Sequence, residues 1–170
     1  MIPKLIGAAL ILAACGGMGF SLAAAHRQKE RLLQQLMAAV KLMACELQYR
    51  QTALPQLMAL CARDTGGAIA QIFSAMAEEL ERQIAPDAAC CMKAVLERMP
   101  KLPGLVQEKL KLLGSSLGRF DLTGQLSGLE TVAQMCQRDL DGLLLNRDAR
   151  LRSYMTLGLC AGAALVILFI

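Results

Sequence analysis

The residues of this 170-residue chain with the chemistry to cleave, oxidise or hold a metal are seven cysteines, one histidine and fourteen carboxylates. The cysteines are Cys15, Cys45, Cys61, Cys90, Cys91, Cys136 and Cys160; no two form a C-x-x-C pair, and His26 alone can join them. A structural zinc site needs four such ligands at short, regular spacings, which this pattern does not offer. An odd count without regular spacing does not make a disulfide framework either. Small buried hydrophobes kept reduced in the cytosol fit the pattern better. Thiolate chemistry at the vicinal pair Cys90–Cys91 would need an activating neighbour, and none is apparent. A Cys–His or Ser–His dyad would have to use His26, which stands among cations at the edge of an apolar run. Glu46, Glu78 and Glu79 sit in helical patterns beside Arg and Gln, the setting of solvated or ion-paired faces rather than of an acid–base couple. Gly114, Gly118 and Gly124 fit helix ends, and no G-K-[ST] follows them to make a P-loop. The expectation is a chain that is not an enzyme, with no catalytic residue, metal site, cofactor or small-molecule substrate.

What positions these side chains is helix throughout. Apolar residues make up 55% of the chain and aromatics 4%, with no Trp. Ala, Leu, Met and Gln dominate, and they favour helix over strand. The net charge of +4 is spread among alternating acids and bases. Nucleic-acid binding, which uses a clustered basic stripe with stacking aromatics, is therefore not expected.

The pattern between residues 26 and 153 predicts a bundle of about six helices packed antiparallel around one core. Leu33, Leu36, Val40, Met43 and Leu47 form one stripe. Thr52 is the expected cap of a short helix carrying Leu54, Leu57, Met58 and Cys61, with Pro55 in its first turn. Gly66-Gly67 breaks the pattern before Ile69, Ile72, Phe73, Met76 and Leu80. Asp87 is placed to cap a helix to about Arg98. After two prolines, Leu105, Leu110, Leu113 and Leu117 mark a fifth helix. Asp121 caps the last one, whose stripe of Leu122, Leu126, Leu129, Ala133, Cys136, Leu140 and Leu143 is close to a coiled-coil seam. The methionines read as core gap-fillers.

The two ends differ from this domain. Leu5 to Ala25 is an uncharged run of 21 residues, about the length that spans a bilayer as a helix. The stretch 154–170 is apolar to the last residue, with Tyr154 at its entry, and reads as a second span. From Met155 it is about 24 Å long as a helix, slightly short of the hydrocarbon core. Arg27, Lys29 and Arg31 follow the first run, and Arg147, Arg150 and Arg152 precede the second. Positive charge favours the cytoplasmic side, so the domain 26–153 is expected in the cytoplasm with both chain ends outside. A competing reading takes Leu12-Ala13-Ala14-Cys15-Gly16 as a lipoprotein cleavage site, with Cys15 lipidated and the domain outside the cell as a binding module. The residues after Cys15 stay apolar instead of forming a polar tether, which argues against it.

Several stretches resemble one family in order along nearly the whole chain. Lys4-Leu5-Ile6-Gly7-Ala8 opens it. Glu46-Leu47-Gln48-Tyr49, then Thr52-Ala53-Leu54-Pro55, give an acidic–aromatic helix end followed by an L-P helix start. Phe73 stands where that family has an aromatic. Leu113-Gly114-Ser115-Ser116-Leu117-Gly118-Arg119-Phe120-Asp121, with Gln125, is close to its L-G-x-x-L-G-x-x-D-x-x-x-Q pattern. Tyr154-Met155-Thr156-Leu157-Gly158 leads into a matching apolar end. The chain thus resembles the stage III sporulation protein AB family. It departs in Arg50, where a glycine is usual, and in its cysteine content.

The resemblance implies a domain similar to the cytoplasmic domain of the type II secretion inner-membrane platform protein. It implies a scaffold or adaptor in the mother-cell membrane surrounding the forespore, part of a secretion-like channel between the two cells. The implied partners are other stage III sporulation channel proteins, including a secretion-type ATPase, and self-association into a homo-oligomer is compatible with it. Glu46, Tyr49, Asp121 and Gln125, the polar members of the matched stretches, are the candidate protein interface. The plainer alternative makes Asp121 only a helix cap, Tyr49 a partly buried anchor and Glu46 an intrahelical ion-pair partner, and for Asp121 in particular the cap is the preferred account.

Overall fold

The apolar stripes become six helices and no strand among the residues that the computed structural model describes. These are residues 2–82, 86–99, 102–118 and 120–145, with side chains from Ala24 onward. The helices are α1 (Ile2–Arg50), α2 (Leu54–Asp64), α3 (Gly67–Arg82), α4 (Ala88–Arg98), α5 (Gly104–Ser116) and α6 (Leu122–Leu145). The chain divides into two units, Lys29–Leu140 and a second made of Met1–Gln28 with Asp141–Ile170. The helical core belongs wholly to the first, which lies inside the expected domain 26–153. Among the described residues no helix is long and apolar enough to cross a membrane. The backbone of the first expected span, Leu5–Ala25, is helical within α1, but the side chains of residues 1–23, Cys15 included, and all of 146–170 lie outside the described residues.

Local signals set the helix boundaries. Pro55 sits in the first turn of α2, where its missing N–H is not needed. Thr65 ends α2 by directing both its N–H (3.0 Å) and its Oγ1 (2.7 Å) to the Cys61 carbonyl. Gly67, at φ +60°, then takes the left-handed conformation that turns the chain into α3. Asp87 caps α4 by accepting from the Cys90 N–H at 2.8 Å. Thr52 does not cap α2 as expected. Its hydroxyl donates to Glu46 Oε2 at 3.0 Å instead, and Ala53 occupies the cap position without a side-chain bond.

Within Lys29–Leu140, α2 packs on α3, α3 on α4 and α4 on α5. Phe73 is the largest fully buried side chain; Leu33, Leu36, Met43, Leu57 and Met58 are also sealed from solvent. Each such burial contributes about 1.5–3 kcal/mol. Met43, Met58, Met76 and Met92 are fully buried, the positions of core fillers. Glu79 of α3 is buried and paired with Arg98 at the end of α4, Oε1 to Nη1 2.6 Å. Gly114 lets α5 approach α4 closely, since an added Cβ would lie 2.7 Å from Met92 Cβ.

Two stripes are corrected. On α5 the buried positions are Val106, Lys109, Leu110, Leu113, Gly114 and Ser116, with Leu117 buried just past its end, while Leu105 is half-exposed. On α6 they are Leu129, Val132, Cys136 and Leu140, a 3-4-4 spacing; Leu122 is exposed, and Leu126, Ala133 and Leu143 are half-buried. An ordinary helix of 3.6 residues per turn packed on a globular core, not a coiled-coil seam, has this period.

Candidate protein interface

The end of α1, the turn into α2 and the turn into α6 carry the matched stretches, and each candidate residue has a definite local role. Glu46 is half-buried. It accepts from Thr52 and lies 3.7 Å from Arg50 Nη1 across one helical turn. That carboxylate ties the end of α1 to the chain entering α2. Between them Gln51 has φ 49°, the left-handed conformation that favours glycine, in a residue with a side chain. Tyr49 is 77% exposed, so the alternative that makes it a partly buried anchor does not hold.

Asp121 caps α6, its Oδ1 accepting from the Gly124 N–H at 3.0 Å while its carbonyl accepts from the Gln125 N–H at 2.9 Å. Gln125 turns its Nε2 back to the Phe120 carbonyl at 2.8 Å. Both polar residues thereby fix the turn that leaves Phe120 58% exposed, with Leu122 exposed beside it. Sequence reasoning singled out the polar residues and passed over these two apolar ones; Phe120 lay inside the quoted stretch, but its exposure carries no sequence signal.

The two stretches converge. Gly118, at φ +75°, makes the turn after α5, and a Cβ there would lie 3.7 Å from Leu54 Cδ2 and 4.0 Å from Ala88 Cβ. The starts of α2 and α4 and the turn between α5 and α6 therefore share one end of the unit, beside the end of α1. Among the described residues no hydrogen bond or ion pair links Glu46 or Tyr49 to Asp121 or Gln125. Each stretch leaves one aromatic exposed, Tyr49 at the end of α1 and Phe120 just before α6.

The chemistry elsewhere is quiet. Cys61 and Cys136 are sealed in the core, and burial pushes their thiols up, to about 12 and about 11. Burial, then the charge of Glu79, also raises Cys91. These three are held as protonated thiols, poor nucleophiles. Cys45 and Cys90 are exposed, which corrects the expectation that the cysteines are uniformly core residues. Among the described residues no group of three or more His, Cys, Asp or Glu side chains can hold a metal ion.

Among the described residues the fold is all-helical, and its exposed large hydrophobic side chains are Tyr49, Phe120, Leu122, Leu144 and Leu145. Comparison with known proteins gives it a family. The family model for stage III sporulation protein AB matches residues 4–170, and the chain belongs to that family. It is similar to the stage III sporulation protein AB of Bacillus subtilis (strain 168), 25% identical over 171 residues, covering 97% of this chain and 98% of that one. A solved structure of a stage III sporulation protein AB has the same fold, with TM-score 0.64 and 21% identity over 72% of this chain and 98% of that one.

Proposed function

We propose that this protein serves stage III of spore formation as a non-enzymatic scaffold, coupling a cytosolic secretion-type ATPase to membrane components of the channel between mother cell and forespore. In this reading Leu5–Ala25 and 154–170 anchor it in the mother-cell membrane around the forespore, both chain ends outside. The helical unit then faces the cytoplasm, where the ATPase is. The observation that carries the reading is the exposed pair Tyr49 and Phe120, in a protein whose family name places it in sporulation. Large exposed aromatics beside hydrogen-bonded turns are the usual anchors of protein interfaces.

The test is photo-crosslinking in sporulating cells from residues substituted at Tyr49 and at Phe120, with Glu130 on the exposed face of α6 as control. Capture of a secretion-type ATPase from the first two positions and not from Glu130 is the expected result. Capture of nothing, or of the same products from all three, would remove the basis for the proposal. Tyr49→Ala with Phe120→Ala is expected to reduce spore yield while leaving helical content and thermal stability unchanged.

A further inference from the structure

A second surface lies away from the helix ends, on the outer side of the α2–α3 hairpin. An open groove of about 510 Å³ runs between these helices. Its floor is alanine: Ala59 and Ala62 from α2, Ala70 and Ala77 from α3. Side chains this small leave room for another helix to approach closely, but they do not say which one.

The charges at the groove do. Arg63 stands on the α2 wall, two residues before the hairpin turn at Thr65–Gly66; Glu78 and Glu81 stand on the α3 wall, beyond its middle. At 1.5 Å per helical residue, the carboxylates are roughly 15–20 Å along the groove from the turn end where Arg63 sits. Among the described residues none of the three has an ion-pair partner. The groove is therefore positive at one end and negative at the other. Such a pattern matches its own copy laid antiparallel, because a two-fold axis across the groove sets each Arg63 against the Glu78 and Glu81 of its mate. Like charges would face each other if the two copies lay parallel.

We infer that the α2–α3 groove is a self-association surface, whose occupant is the same hairpin of a second copy of this chain, packed antiparallel through the alanine floor. Ser74, exposed on α3 midway between Gly67 and Glu81, falls at the two-fold axis and faces itself. The inference stands apart from the proposed function: a groove that pairs copies leaves Tyr49 and Phe120 available.

The experiment uses the full chain in detergent micelles, with exposed Cys45 and Cys90 changed to Ser. Ser74→Cys is oxidised beside the parent and beside Lys93→Cys on α4, and mass by light scattering is read alongside. The expected result is a disulfide-linked product of twice the chain mass for Ser74→Cys, in excess of both controls. Arg63→Glu, or Glu78→Arg with Glu81→Arg, should each weaken the dimer roughly tenfold or more, since every exposed pair occurs twice in a two-fold contact. Combining all three reversals should restore it. No excess Ser74→Cys product, a dimer indifferent to the reversals, or failure of the combined reversal to rescue would each overturn the inference. So would a Ser74→Cys product in cell membranes whose mass is that of this chain plus a different protein.

Discussion

Lys109 gives the sharpest energetic test of the packing. Its side chain is 5% exposed, and its Nζ lies 2.9 Å from Asp139 Oδ2, joining α5 to α6. That oxygen is buried and makes no hydrogen bond, so the contact is a charge pair without good hydrogen-bond geometry. The other nearby carboxylate, Glu108, is largely exposed and 3.9 Å away. The two partners are unequal in burial, because the Asp139 side chain is 30% exposed. Asp139→Ala therefore leaves a largely buried ammonium with only the more distant, exposed Glu108 for a partner, at a cost of about 3–5 kcal/mol. Lys109→Met strands a carboxylate that can partly rehydrate, at a cost of about 1–2 kcal/mol. Lys109→Met with Asp139→Leu removes both charges and keeps apolar volume, so it should fall within about 1 kcal/mol of wild type or above it. Thermal unfolding of the full chain by circular dichroism reads the order directly, at roughly 4 °C for each kcal/mol in a unit of this size. Cys136 supplies an independent readout. Lys109 lowers its pKa and Asp139 raises it, so Lys109→Met should slow the thiol further and Asp139→Ala should speed it. A Lys109→Met variant as unstable as Asp139→Ala, or a double variant no better than Asp139→Ala, would refute the reasoning.

Other expectations follow from single contacts. Gln51→Gly relieves the left-handed strain at φ 49° and should stabilise the chain by about 0.5–1 kcal/mol, a rise in Tm of a few degrees. Gly128→Ala would set a Cβ 2.6 Å from Ser116 Cβ, where α6 crosses α5, and should cost about 1–3 kcal/mol; adding Ser116→Gly should recover most of it. The raised thiols set a pH limit. Cys61 and Cys136 start from an ordinary value of 9.0 and are pushed up to about 12 and about 11 in the fold. The folded state thus keeps protons that the unfolded chain releases. Stability from these thiols is full below pH ~9 and falls above it by about 1.4 kcal/mol per pH unit for each, ending near the folded values. Cys61→Ala with Cys136→Ala should flatten that alkaline slope in denaturation measured from pH 8 to 11.

The sequence reveals what is local. The α1 stripe from Leu33 to Leu47 is buried as its spacing indicates, because a 3.6-residue period survives whatever packs against it. Asp87 and Asp121 cap the helices they precede, because a cap depends on three or four residues of chain. Thr52 misleads because the same hydroxyl can serve a cap or a side chain one helix back, and Glu46 lies close enough to take it. The α5 and α6 stripes shift by one position, Val106 for Leu105 and Val132 for Ala133, where two apolar neighbours compete and tertiary contact decides. A lysine at 109 reads as surface until the fold supplies Asp139 from thirty residues later. At the candidate interface, residue types point to Tyr49, but exposure is a property of what fails to pack on it, and no periodicity records that.

How firmly α6 is held decides whether a partner at Phe120 can act beyond the contact itself. The helix has four buried residues, Leu129, Val132, Cys136 and Leu140, among its 24, whereas α3 has six among 16. Its ties to α5 include the Gly128–Ser116 approach and the imperfect Lys109–Asp139 pair. Fewer apolar contacts per turn mean a lower free energy of local opening, so α6 should exchange its amide hydrogens well before α3 under native conditions. The difference should be largest from Leu122 to Leu126, before the first buried residue, and it should grow in Asp139→Ala. A partner that fixes Phe120 would then raise protection along α6 as far as Leu140, while α3 stays as it was. Equal protection of α3 and α6 in the free chain would mean that α6 is already rigid, and binding at its start would have nothing to transmit.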